Sequence, residues 1–183
     1  MDGIHGGWRC QMNNIVKYTT APRSDSFEIG LEFQDFVTRK LAATGLYIQN
    51  YGSKKYQYEY GENQQGFEIK YDELCTKTYR LSIEVAEKVN AANKEWVPSG
   101  IDREDNSWLY IQGNYDLILI FGKIHLKQWC KLYSPKFEIK HGTIKTFYLE
   151  AHYANELALC AFEFEKGILH RMAEESRKRC LQR

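Results

Sequence analysis

The sequence predicts an α/β protein in which a central mixed β-sheet is flanked by helices. Three observations carry that expectation. Apolar residues recur at helical intervals between positions 29 and 41, apolar and polar residues alternate strictly at 67–72 and at 81–85, and two apolar runs at 108–112 and 115–121 are joined by Gly113-Asn114. The first spacing is that of an amphipathic helix, the second that of half-buried strands, and the third that of a hairpin. No internal repeat or low-complexity tract interrupts the order, and 183 residues with 43% hydrophobic and 14% aromatic content suffice for one layered core.

Taken in order, residues 1–24 show no clear period and read as an N-terminal arm with a short strand near 15–18. Asp25 and Glu28 have capping-box spacing, and Ile29, Phe33, Phe36, Val37 and Leu41 form the apolar stripe of a helix ending near Thr44-Gly45. Residues 46–49 and 56–60 are short strand candidates, followed by a polar loop at 61–66. Next come the two alternating strands, Phe67 to Asp72 and Arg80 to Lys88. A long polar surface loop at 90–107, beside those strands, is placed to contact substrate. The hairpin of 108–121 leads to a helix at 124–132, late strands at Phe137–Lys140 and 146–149, and one long helix from 151 to about 179 bearing Leu157, Ala161, Phe164, Ile168 and Met172 near one face.

Composition narrows the function classes. No apolar run reaches transmembrane length and the N-terminus lacks the apolar core of a signal peptide, so a soluble, cytoplasmic protein with no membrane partner is expected. Five cysteines without a CxxC pair read as reduced thiols, and the five scattered histidines lack a ligand-spaced partner. There is no Gly-rich phosphate loop, GxSxG or HExxH. A net charge of +1 neither demands nor excludes a polyanion, but Lys123, Lys127, Lys131 and Lys136 form one basic stretch and Arg171, Arg177, Lys178, Arg179 and Arg183 another. Either can contact phosphates or form a solvated face.

The chemistry concentrates in residues 66–88. Alternation puts Glu68, Lys70 and Asp72 on one face of the first strand, and Ser82, Glu84 and Ala86 on one face of the second. If the two pair as an antiparallel hairpin turning near 76–80, the register that sets Asp72 opposite Glu84 also sets Lys70 opposite Ala86. Opposed Cβ atoms lie roughly 4.5–5.5 Å apart, so the two carboxylates can share a hard divalent cation, and Lys70 can orient the water or stabilise charge on a phosphate. On the preceding helix Glu32 falls about 40° from Phe36, at the edge of the apolar stripe, from which a carboxylate can approach the sheet or reach out to solvent. The plain alternative is ordinary strand alternation with every charge facing solvent. Phe137–Lys140 repeats Phe-Glu-Ile-Lys with no acidic partner following, so the tetrapeptide alone identifies nothing.

Gly30-Leu31-Glu32-Phe33, then Gly66-Phe67-Glu68-Ile69-Lys70-Tyr71-Asp72, then Ile83-Glu84-Val85 resemble the core of the PD-(D/E)xK, or restriction endonuclease-like, nuclease superfamily over about residues 24–122. The resemblance implies a restriction endonuclease-like sheet, a single nuclease-like domain over 25–183, and a metal-dependent endonuclease hydrolysing DNA with Mg²⁺ or Mn²⁺. It places the metal on Glu32, Asp72 and Glu84, with Asp72, Glu84 and Lys70 as the catalytic set. Two positions depart from the superfamily pattern: no proline precedes Asp72, and Ala86 stands where its lysine falls. Three lysine assignments follow in order of preference: Lys70 acting from the adjacent strand, Lys88 reaching back about 13 Å, or Glu68-Ile69-Lys70 as the motif itself with Glu59 or Glu62 preceding it. DNA is the implied partner and a homodimer is allowed. The alternative function is a non-catalytic nucleic-acid-binding or assembly protein on the same fold.

Overall fold

The computed structural model describes residues 25–51 and 54–182. The expected arm at 1–24, its strand near 15–18 and the capping side chain of Asp25 lie outside what is described.

Helix α1 spans Asp25–Ala42 and buries Phe33, Val37 and Leu41 completely, whereas Ile29 at its start is 42% exposed. It closes where expected: the Leu41 carbonyl accepts N–H groups from Thr44 and Leu46, and Gly45 takes a positive φ of 89°. The chain then departs from expectation. Residues 46–49 form no strand, only an isolated bridge between Asn50 and Asn63, and 56–60 belong to helix α2, Lys54–Tyr60. Tyr-Gln-Tyr-Glu-Tyr satisfies a two-residue period, but Tyr56 and Tyr60 are also four apart, and their rings stack at 5.9 Å along one side of the helix.

The remaining elements are β1 Phe67–Tyr71, the single turn α3 Cys75–Thr78, β2 Arg80–Glu87, β3 Val97–Pro98, β4 Leu109–Gly113, β5 Leu117–Gly122, α4 Lys123–Tyr133, β6 Phe137–Lys140, β7 Ile144–Glu150, α5 Ala151–Leu157, β8 Cys160–Glu163 and α6 Ile168–Leu181. The architecture is α/β, but the strands divide into two four-stranded sheets, β1-β4-β5-β8 and β3-β2-β7-β6, where one central sheet was expected. The first sheet is mixed, since β1 runs parallel to β4 and the other pairs are antiparallel; the second is antiparallel throughout.

The single long helix expected over 151–179 is instead α5, β8 and α6. Cys160–Glu163 pairs with β5 and completes the first sheet, Phe162 packs into the core beneath α1, and Phe164 stacks edge-on against Phe36 at 5.2 Å. Gly167, with φ of 72°, starts the new helix. The β4–β5 hairpin forms as expected, but its reversal sits two residues later than Gly113-Asn114: Asn114 N–H donates to the Leu117 carbonyl, and the Asn114 side chain accepts from the Asp116 and Leu117 amides.

Two apolar clusters sort the faces. Phe67, Ile69, Leu109, Ile111, Ile118 and Ile120 of the first sheet pack against α1. Tyr110, Leu117, Leu119 and Phe121, from its other face, join Leu81, Ile83, Val85, Phe147 and Leu149 of the second sheet and residues of α4, α5 and α6. The candidate site lies where the edge strand β1 meets β2.

Candidate active site

Because Phe67 and Ile69 are drawn to α1, alternation turns Glu68 and Lys70 to the opposite face, where parallel pairing with β4 sets Tyr110 beside Glu68 and Gln112 beside Lys70. The expected hairpin between β1 and β2 does not form. The chain crosses through α3, anchored by buried Cys75, into the second sheet, so that Asp72 is not opposite Glu84 and Ala86 faces Pro98 and Lys145 instead of Lys70. The reason is burial: the apolar face of β1 belongs to one cluster and that of β2 to the other, and a hairpin would put both on one side.

Lys70 nevertheless reaches Glu84. Its Nζ lies 3.1 Å from Glu68 Oε1, 3.7 Å from Glu84 Oε2 and 3.9 Å from Glu62 Oε1, so three carboxylates converge on one ammonium. Burial disfavours the charged lysine, but Glu68, Glu84 and Glu62 outweigh it and hold its pKa well above the ordinary value. Glu62 is fixed by the Ile69 amide at 2.8 Å and by Gln34 of α1 at 3.3 Å. Its burial, opposed by Lys70 and reinforced by Glu68, pushes its carboxyl up to about 7. The loop bearing it is clamped by Asn63, which both donates to and accepts from the Phe67 backbone.

Glu68 has only 1% of its side chain exposed and accepts no hydrogen bond at either oxygen; it is held by charge, from Lys70 on one side and Lys123 at 3.4 Å on the other. Lys123, counted in a basic stretch open to phosphate contact or to solvent, is buried at the start of α4. Its ammonium donates to the Arg103 carbonyl at 2.9 Å, Ser107 Oγ at 2.6 Å and Asp105 Oδ1 at 3.3 Å. Burial works against the charge of Asp105, but hydrogen bonds from Ser107 and the neighbouring Lys123 hold its pKa below the usual value.

The polar loop at 90–107 does close on the site. Ser99 hydroxyl donates to Glu84 Oε1 and its amide to the Val85 carbonyl, at 3.0 Å for the latter. Gly100, with φ of 53°, is required there, because a Cβ would stand 2.2 Å from the Glu84 carbonyl oxygen.

Asp72 has a different occupation. Its Oδ2 accepts the Ser82 amide at 2.8 Å and Gln112 Nε2 at 3.0 Å, while the same Gln112 nitrogen donates to the Ser82 carbonyl at 2.8 Å. The pair covers the stretch of β2 that β3 leaves unpaired. Burial raises the Asp72 pKa despite the Ser82 amide. Glu32 lies exposed on α1, across the first sheet from Lys70, and the α1 residue that reaches the cluster is Gln34. Lys88 sits over the Trp96 ring at 4.4 Å, and Glu59 is exposed on α2. Among the described residues, no three His, Cys, Asp or Glu side chains form a group arranged to hold a metal ion. The cluster's chemistry still suits one: its carboxylates are hard oxygen donors, and Glu68 Oε1 and Oε2 and, across from Glu84 on β7, Thr146 Oγ1 are buried without hydrogen-bond partners.

Sequence reasoning placed Lys70 and Glu84 in the catalytic set but Glu62 and Glu68 only in the third of three lysine assignments, counted Lys123 in a basic stretch, and missed Gln34 and Ser99. The Glu68 signal was its place within an apolar strand; nothing local marks Lys123, which comes from 55 residues further along the chain. No known family model matches the chain, and no curated protein or solved structure is significantly similar to it.

Proposed function

We propose that the protein is a metal-dependent endonuclease of the restriction endonuclease-like type, hydrolysing phosphodiester bonds in DNA, with Glu62, Glu68, Lys70 and Glu84 as its working set. The observation that carries the reading is the convergence of Glu62, Glu68 and Glu84 on Lys70, with Glu68-Ile69-Lys70 as the acid-x-lysine element. Glu68 and Glu84 would hold Mg²⁺ or Mn²⁺, which supplies charge that polarises the phosphodiester and acidifies water. Lys70, an ammonium throughout the neutral range, cannot act as a base; it stabilises negative charge developing on the phosphate. Glu62 titrates near neutrality and is matched to accept the proton that water loses as its oxygen bonds to phosphorus and the ester oxygen leaves. Asp72 positions β2, and with it Glu84, through the Ser82 backbone.

The test is cleavage of labelled duplex and supercoiled DNA with Mg²⁺, Mn²⁺ or excess chelator. Cleavage should require the ion and be lost in Glu68→Gln and Lys70→Ala. A non-catalytic DNA-binding protein is the second reading, favoured by the engagement of Glu84 with Ser99 and of all three acids with Lys70. DNA binding without cleavage under any ion would establish it. Among the described residues no helix is long and apolar enough to cross a membrane. A cytoplasmic location and a homodimer belong to the same proposal.

A further inference from the structure

We infer that Arg80, Lys140 and Tyr148, on the outer face of the second sheet, form a phosphate-holding track for a DNA strand leading away from the carboxylate cluster; the inference rests on the nuclease reading. Leu81, Ile83 and Val85 enter the core, so Arg80, Ser82 and Glu84 share the other face of β2, and the opposing β7 residues are Glu150, Tyr148 and Thr146. Lys140 joins them from β6. The Arg80 guanidinium carbon lies 3.6 Å from the Tyr148 ring centroid, and Lys140 Nζ lies 5.3 Å from it. Lys140 also acts electrostatically on the Asp72 carboxyl, which holds the Ser82 backbone two residues from Glu84.

No direct ion pair neutralises the charge here, and Lys140 feels only the longer-range pull of Asp72. Glu150, directly across from Arg80, is taken by Arg179 and Ser176. Arg80 Nε is buried without an acceptor, and among the described residues no carboxylate forms an ion pair with Arg80 or Lys140. The C-terminal cations that looked suited to phosphate are instead neutralised: Arg171 by Glu165, Arg177 by Glu156, Lys178 by Glu175 and Arg179 by Glu150. Beyond Arg80 the surface opens into a cleft of about 460 Å³ lined also by Lys77, Lys178 and Arg179, with Glu175 as its acid. Glu138 is the exposed acid of the β6 strand.

Stacking on Tyr148 fixes the guanidinium plane and leaves its in-plane N–H fork for phosphate oxygens. Along β2, Arg80 lies four residues from Glu84, roughly 13 Å, a span that a few nucleotides of a DNA strand cover. A strand with its scissile phosphate at the cluster therefore brings a later phosphate to Arg80, with Lys140 between.

Binding of a fluorescein-labelled single-stranded oligonucleotide, followed by anisotropy in excess chelator across a salt series, tests the track without cleavage. The Arg80→Gln/Lys140→Gln double variant should bind about tenfold or more weakly and flatten the slope of log K against log salt by about 1.4, the release expected for two lost phosphate contacts. Tyr148→Leu should weaken binding and Tyr148→Phe should not. Lys131→Gln, an exposed cation on α4, should bind as the parent does. Parent-like binding by a double variant that melts as the parent does, or an equal loss in Lys131→Gln, overturns the track even if DNA is cleaved. Loss of binding in the double variant supports the track even if no cleavage is ever seen, in which case the nuclease reading alone falls. No DNA binding by the parent overturns the track and leaves catalysis to the cleavage assay.

Discussion

Glu62 is an acid placed where its charge is costly, and the sign of the consequence can be worked out. Its folded-state pKa, about 7, lies above the ordinary 4.5, so the folded protein holds the proton more tightly than the unfolded chain. That contribution to stability is complete below about pH 4.5 and lost as pH rises through about 7. Glu62→Gln should therefore remove a decline in metal-free stability between these pH values, measured by urea denaturation against pH; an unchanged profile would show that Glu62 titrates normally. Metal affinity should rise over the same interval if the carboxylate assists the ion. Lys123 poses the complementary case. With 5% and 1% of their side chains exposed, Lys123 and Glu68 form a buried pair, and removing the lysine leaves Glu68 to Lys70 alone and takes the same ammonium from Asp105. Lys123→Met should cost about 3–5 kcal/mol, and adding Glu68→Gln should restore part of it, the share that belongs to this pair, as a double-mutant cycle would show.

At the scale of elements, Asp72 and Gln112 do for β2 what a neighbouring strand does elsewhere. Asp72→Ala should strand the Ser82 amide and cost about 1–3 kcal/mol, read from the denaturation midpoint at constant m-value. The same tetrapeptide shows how far sequence reaches. Phe67–Lys70 and Phe137–Lys140 are both Phe-Glu-Ile-Lys and both strands, as their alternation predicts, yet Glu68 is buried and Glu138 exposed. Local pattern sets the strand; the partner sets the burial. Elements with one strong period, such as α1, β2, the β4–β5 hairpin and α4, were legible. The residues of α2 satisfied two periods at once, and β8 hid in a stretch whose apolar residues also suit a helix, because what decides it is pairing with β5, some 40 residues earlier. The site was legible as a set of charged residues on β1 and β2, but its assembly was not. Pairing of β1 with β4 depends on residues far along the chain, so the hairpin register, Glu32 and the rank given to Glu62 could not be judged from spacing.

For the whole molecule, Lys70 is the charge that lets three acids share one place. In Lys70→Met the repulsion among Glu62, Glu68 and Glu84 is released into the fold, so the metal-free melting temperature should fall. If the cluster binds Mg²⁺, the ion should raise the melting temperature of that variant more than that of the parent, since it then replaces an absent cation instead of competing with a resident one. Calorimetry with and without Mg²⁺ decides it, and an equal or absent increment would place the ion elsewhere. The groups proposed to work together are also divided between halves of the architecture. Glu62, Glu68 and Lys70 ride with the first sheet, Glu84 rides with the second, and the Ser82 amide crosses between them to Asp72. Chemistry that needs all four is a coincidence detector for the docking of the two sheets. On the proposed reading, a fluctuation that parts them, with every helix intact, silences the site, and the hydrogen-exchange rate of the Ser82 amide is the clock that times it.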